Sequence, residues 1–153
     1  MRYLLILPAA LLALASCKQK TETAADTAST KSPLNGSWRL ISSKSITKDT
    51  VDTSPKSGVE TVKLYNDTHF TFFTHDTKKG KIDTPLFTAG AGTYKLSGDK
   101  YTEHLQYCNA REWEDHDFDF TMTLKNDTMT QRGVEKVPGV VDHVIIEIYV
   151  KMK

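Results

Sequence analysis

Tyr101, Glu103, Leu105 and Tyr107 recur at every second position. In a regular β-strand that spacing sets two phenols, a carboxylate and an apolar side chain on one face. A carboxylate between phenols can receive a cationic or hydroxylated ligand, or accept a proton. The competing orientation turns His104 and Gln106 inward instead. Leu105 with two tyrosines makes the better core, so Glu103 is expected to face the interior.

The other chemically able residues form no recognisable centre. His69, His75, His104, His116 and His143 are scattered, and no pair has the close spacing of a metal site. Glu112-Trp113-Glu114-Asp115-His116-Asp117 is rich in carboxylates but lacks the alternation and glycine of a calcium loop. A solvated acidic loop accounts for it, with Trp113 free to fold over a neighbouring opening. No nucleophile elbow, phosphate loop or dinucleotide fingerprint occurs. No catalytic residue, metal or cofactor is therefore expected. Basic residues are dispersed and the net charge is +1, which argues against a nucleic-acid surface.

The two cysteines have different prospects. Leu14-Ala15-Ser16-Cys17 follows a positive start (Arg2) and an apolar stretch from Leu4 to Leu14. That stretch falls short of the roughly 20 apolar residues a membrane-spanning helix needs, and reads as a signal peptide over residues 1–16. The four residues resemble a bacterial lipobox. Cys17 would then carry a diacylglyceryl thioether and, after cleavage, acyl chains of the palmitate type on its freed amine. Several chains hold a protein on a membrane more firmly than one. Cleavage removes Arg2 and leaves 19 basic side chains (20 less one) against 19 acidic, a formally neutral chain. Cys108 is left without an intrachain partner and is expected to be a partly buried structural thiol.

The elements that must position these groups are strands. Residues 17–33 are Thr-, Ser-, Ala- and Lys-rich and read as a lipid anchor and disordered tether. The sixteen residues after Cys17, Lys18 to Pro33, reach at most about 55 Å when extended. A single domain over residues 34–153 follows. Its pattern has period two: residues 36–42, 59–65, 68–74, 92–96, 101–107, 118–124, 128–132 and 144–150 read as strands. On the third and second of these, Phe70 with Phe72 and Val62 with Leu64 take single faces. A polar loop is expected from Lys44 to Ser57. Leu64-Tyr65-Asn66-Asp67-Thr68 and Leu124-Lys125-Asn126-Asp127-Thr128 repeat one turn pattern, and Ser97-Gly98-Asp99 suits a third hairpin tip. About eight strands joined by hairpins predict an all-β, antiparallel up-and-down barrel. Closure removes the exposed edges, and eight strands leave room inside for side chains or one small ligand.

Leu34-Asn35-Gly36-Ser37-Trp38-Arg39-Leu40 resembles the opening strand of small lipocalin-like lipoproteins of Bacteroidetes-type bacteria. His69-Phe70-Thr71-Phe72, Gly90-Ala91-Gly92-Thr93-Tyr94 and Gly98 to Tyr107 resemble later blocks of that group. The resemblance implies a calycin-type barrel open at one end, and no particular ligand. The expected reading is a non-catalytic envelope lipoprotein, membrane-attached through its lipid and located at the outer membrane. Its barrel would hold a small apolar or amphipathic ligand against Trp38, Phe70, Phe72, Tyr94, Tyr101, Glu103 and Tyr107. Trp38 suits a plug of the closed end better than a ligand contact. Two alternatives stay open. One is an interaction module with a side-chain-filled barrel and a protein partner of unknown kind; the other is an acid/base enzyme using Glu103.

Overall fold

β-branched and aromatic residues alternating with polar ones pair into sheets when tight turns join them. The computed structural model describes residues 31–153, so the expected signal peptide, Cys17 and the part of the expected tether up to residue 30 lie outside the described residues. Nine antiparallel strands follow one another: β1 (Gly36–Thr47), β2 (Thr50–Ser54), β3 (Val59–Tyr65), β4 (His69–Asp76), β5 (Phe87–Ser97), β6 (Lys100–Cys108), β7 (His116–Lys125), β8 (Thr128–Glu135) and β9 (His143–Lys151). The order in the sheet is β2-β1-β3-β4-β5-β6-β7-β8-β9, and pairing of β1 with β9 closes it into an eight-stranded barrel. A single 3-10 turn (Arg111–Trp113) is the helical element among the described residues.

The strand beyond the expected eight corrects the polar loop assigned to Lys44–Ser57. β1 continues to Thr47, turns at Lys48 (φ 41°), and returns as β2, with Ile46 opposite Val51. Nearly all of β2 is exposed, so it has no buried face to impose alternation, and backbone pairing alone defines it. The outer half of β1 pairs with β2 and β9, its inner half with β3 and β9.

The two copies of Leu-x-Asn-Asp-Thr make different turns. Asn126 adopts a left-handed conformation (φ 53°) in a two-residue tip between β7 and β8. Asn66 instead accepts the amides of Thr68 (2.9 Å) and His69 (2.7 Å) on its Oδ1, giving a three-residue loop. That loop also docks the incoming chain. Asp67 accepts the Ser32 amide at 2.9 Å and the Asn35 side-chain amide at 2.6 Å, and the Tyr94 hydroxyl meets Ser32 Oγ at 2.5 Å. Ser32, placed in the tether by sequence, is thus fastened to the barrel.

This end is closed. Leu34, Trp38, Tyr65, Phe70, Tyr94, Tyr101, Phe120, Met122 and Met129 fill it, all buried. Edge-on contacts of Tyr65 with Tyr94 (5.3 Å) and Tyr101 (6.2 Å) tie the plug together. The opposite end is ringed by the loops after β4, β6 and β8. Asp76, buried at the end of β4, accepts the amides of Gly80 (2.9 Å) and Leu86 (3.1 Å) and shapes the first of these loops.

Candidate functional site

Cross-strand partners share a face, which settles the interior lining. Trp38 pairs with Lys63, Lys63 with Phe72, Tyr65 with Phe70, Tyr94 with Glu103, and Glu103 with Phe118. Lys63 and Tyr65 therefore face inward, while Val62 and Leu64 take the outer face. On β8 and β9, Gln131 pairs with Glu147 and Glu135 with His143, which adds four polar side chains to the same interior.

Glu103 faces inward, as its alternation with Tyr101 and Leu105 implied. Its Oε2 receives Lys63 Nζ at 2.8 Å and the Tyr101 hydroxyl at 2.8 Å, with side-chain exposures of only 4% for Lys63 and 7% for Glu103. Gln131 Oε1 lies 3.5 Å from Lys63 Nζ. The ammonium also sits 5.0 Å from the Phe70 ring centroid and 5.7 Å from that of Tyr101, favourable for a cation over an aromatic face. Burial works against the charged form of Lys63, but the Glu103 carboxylate, with Tyr65 and Glu147 behind it, outweighs burial and holds the amine charged. Burial pushes the Tyr65 phenol up to about 12, with the Lys63 charge opposing, and raises Tyr101 and Tyr149 as well.

Above this charged floor the barrel is not filled. A cavity of about 390 Å³ is bounded by Leu40, Thr61, Lys63, Phe72, Glu103, Gln131, Glu135, Glu147 and Tyr149, and its rim is completed by Asp52, Ser54 and Lys56 around β2. A second hollow of about 340 Å³ shares Phe72, Glu103 and Glu135 with it and adds Leu105, Trp113, Phe118 and His143. Trp113, on the 3-10 turn, lies 5.8 Å from the Phe118 ring and 5.6 Å from His143, and covers the mouth from that side. The acidic cavity and the apolar hollow thus adjoin at Phe72, Glu103 and Glu135.

The carboxyl groups here are unequally partnered. Glu135 Oε2 is 2.7 Å from His143 Nε2. Burial, reinforced by the nearby Glu147, pushes Glu135 up to about 7 despite the opposing His143. Glu147 accepts the Tyr149 hydroxyl at 2.9 Å; burial raises its pKa and the charge of Lys63 restrains the rise.

Of the residues expected to meet a ligand, Phe72 and Glu103 line this space. Trp38 (1% exposed), Phe70, Tyr94 and Tyr101 belong to the closed-end plug, where the Trp38 indole donates to the Leu34 carbonyl at 2.7 Å. Tyr107 is a correction: it is 66% exposed on the outside of the barrel. Ala91 pairs with Tyr107 but Gly92 with Leu105, so Gln106 is an extra residue that reverses the alternation beyond it. Lys63, Gln131, Glu135, Glu147 and His143 form the rest of the site without having been expected there, while Trp113 lies at the mouth, where its acidic loop was expected to let it fold. Cys108 is a half-buried free thiol at the mouth, and no cluster of metal-ligating side chains exists among the described residues.

Residues 33–153 match a protein-family model described as "Domain of unknown function (DUF4488)", and the chain belongs to that family. No curated protein matches the sequence.

Proposed function

We propose that this member of the DUF4488 family is a non-catalytic carrier: a lipid-anchored envelope barrel that holds a small amphipathic molecule in its open half. The observation that carries the reading is the cavity of about 390 Å³ with an adjoining aromatic hollow, in a barrel whose other half is tightly filled. Ligand sites of small molecules begin at a few hundred Å³ and combine an apolar wall with a few fixed polar groups. Phe72, Leu105, Phe118 and Trp113 supply the wall; Glu135, Glu147 and Gln131 supply the polar side.

Glu103 supports this reading over acid/base catalysis. Both Lys63 and Tyr101 already engage its Oε2, so it serves as the buried anchor of the floor. The test is native mass spectrometry of gently purified protein. A co-purifying small molecule, lost when Leu105→Trp fills the hollow, is the expected result. A stoichiometric protein partner with an empty barrel would overturn it in favour of an interaction module.

A further inference from the structure

The charges that bound the cavity do not balance. Glu103, Glu135 and Glu147 face it from β6, β8 and β9, while Lys63 is the cation of its floor. Lys63 is spent on Glu103 at 2.8 Å, and at the rim Lys56 pairs with Asp52 at 2.7 Å. Glu135 has His143. Glu147 has the Tyr149 hydroxyl and no cationic side chain within 4.0 Å among the described residues. Beneath the cavity the Tyr65 phenol, 6% exposed, lies beside Lys63 and Tyr101 in the closed-end plug, so the floor offers no further charge to an incoming group.

We propose that the molecule held here is an amine with an apolar body, its ammonium group seated at Glu147 and Glu135. This rests on the carrier reading above. An ammonium offers three donors and a charge, which complements carboxyl oxygens that have no lysine or arginine of their own. A carboxylate head would instead face three glutamates and find the single floor cation occupied. A neutral alcohol would leave Glu147 uncompensated. The apolar body runs along Phe72, Leu105 and Trp113, where an aromatic face also favours a cation close to it.

The test is calorimetric titration of the full chain carrying Cys17→Ala, so that no acyl chain competes for the cavity, with octylamine, octan-1-ol and octanoate at neutral pH. Octylamine is expected to bind at least tenfold more tightly than the other two. Glu147→Gln should abolish that preference and leave octan-1-ol binding unchanged. Octan-1-ol or octanoate binding as tightly as octylamine overturns the amine and leaves the carrier reading standing. An amine preference that survives in Glu147→Gln overturns the seat. Saturable binding of none of the three overturns the carrier reading, and the amine with it.

Discussion

Lys63 and Glu103, 40 positions apart in sequence, meet at 2.8 Å across the interior of the barrel, and both are almost wholly removed from solvent. The two charges cancel at the price of desolvating both, so the pair is weak evidence of stabilisation. Breaking it is another matter. Glu103→Gln leaves an ammonium buried without its counter-charge, and the expected loss is about 3–5 kcal/mol. The double substitution Lys63→Met, Glu103→Leu should recover most of it. Denaturant titration of the wild type and these two variants checks this; a double variant no more stable than Glu103→Gln would refute it.

Glu135 makes stability depend on pH in a stated direction. Its carboxyl is raised from 4.5 to about 7 in the folded barrel, so folding favours the protonated form. The contribution is fully present below about 4.5, declines as pH rises, and is gone above about 7. Glu147, also raised, acts with the same sign. Glu135→Gln should flatten the decline between those pH values by about 1–3 kcal/mol. Melting temperatures of wild type and variant across that range decide the matter. A wild type that gains stability towards neutral pH, with the variant showing the same slope, is incompatible with it.

Gly92 sits where β5 passes the bulge of β6. A Cβ there would lie 1.8 Å from the His104 carbonyl oxygen and 3.0 Å from the Gln106 amide nitrogen. Backbone cannot yield as a flexible side chain does. Gly92→Ala should therefore cost about 1–3 kcal/mol or more. Gly98→Ala, with open space around its Cβ but a φ of 63°, should cost less, about 1 kcal/mol. Thermal melts that rank the two in the opposite order would contradict this account.

Cys17 lies outside the described residues, and its role is testable directly. Metabolic labelling with a fatty-acid probe should mark the wild type and not Cys17→Ala. Equal labelling of both would remove the lipid anchor from the proposal.

The strand pattern and the closed barrel were legible because period-two alternation and hairpin tips are local signals. Gly98-Asp99 and Asn126-Asp127 form the expected two-residue tips. Glu103 could be placed inside because Tyr101 and Leu105 flank it at the right spacing. Its partner could not. Val62 and Leu64 look like the inward pair of β3, yet this barrel also covers apolar side chains on its outer face (Val62 is 6% exposed), and the inner set is Thr61, Lys63 and Tyr65. Lys63 becomes intelligible only once closure brings Glu103 to it. Glu135, Glu147 and His143 were hidden for the same reason, since charged residues on a strand read as solvent-facing until register is known. Tyr107 was misplaced by one inserted residue, a bulge with no sequence signal beyond Gly92.

The fastening of Ser32 to Asp67 and Tyr94 decides how this barrel can be presented. Whatever carries residue 31 holds the molecule by its base, as a stem holds a cup, and the mouth beside Trp113 is the far pole. On the carrier reading proposed above, the mouth through which contents would exchange therefore lies at the pole opposite residue 31, facing away from whatever precedes it.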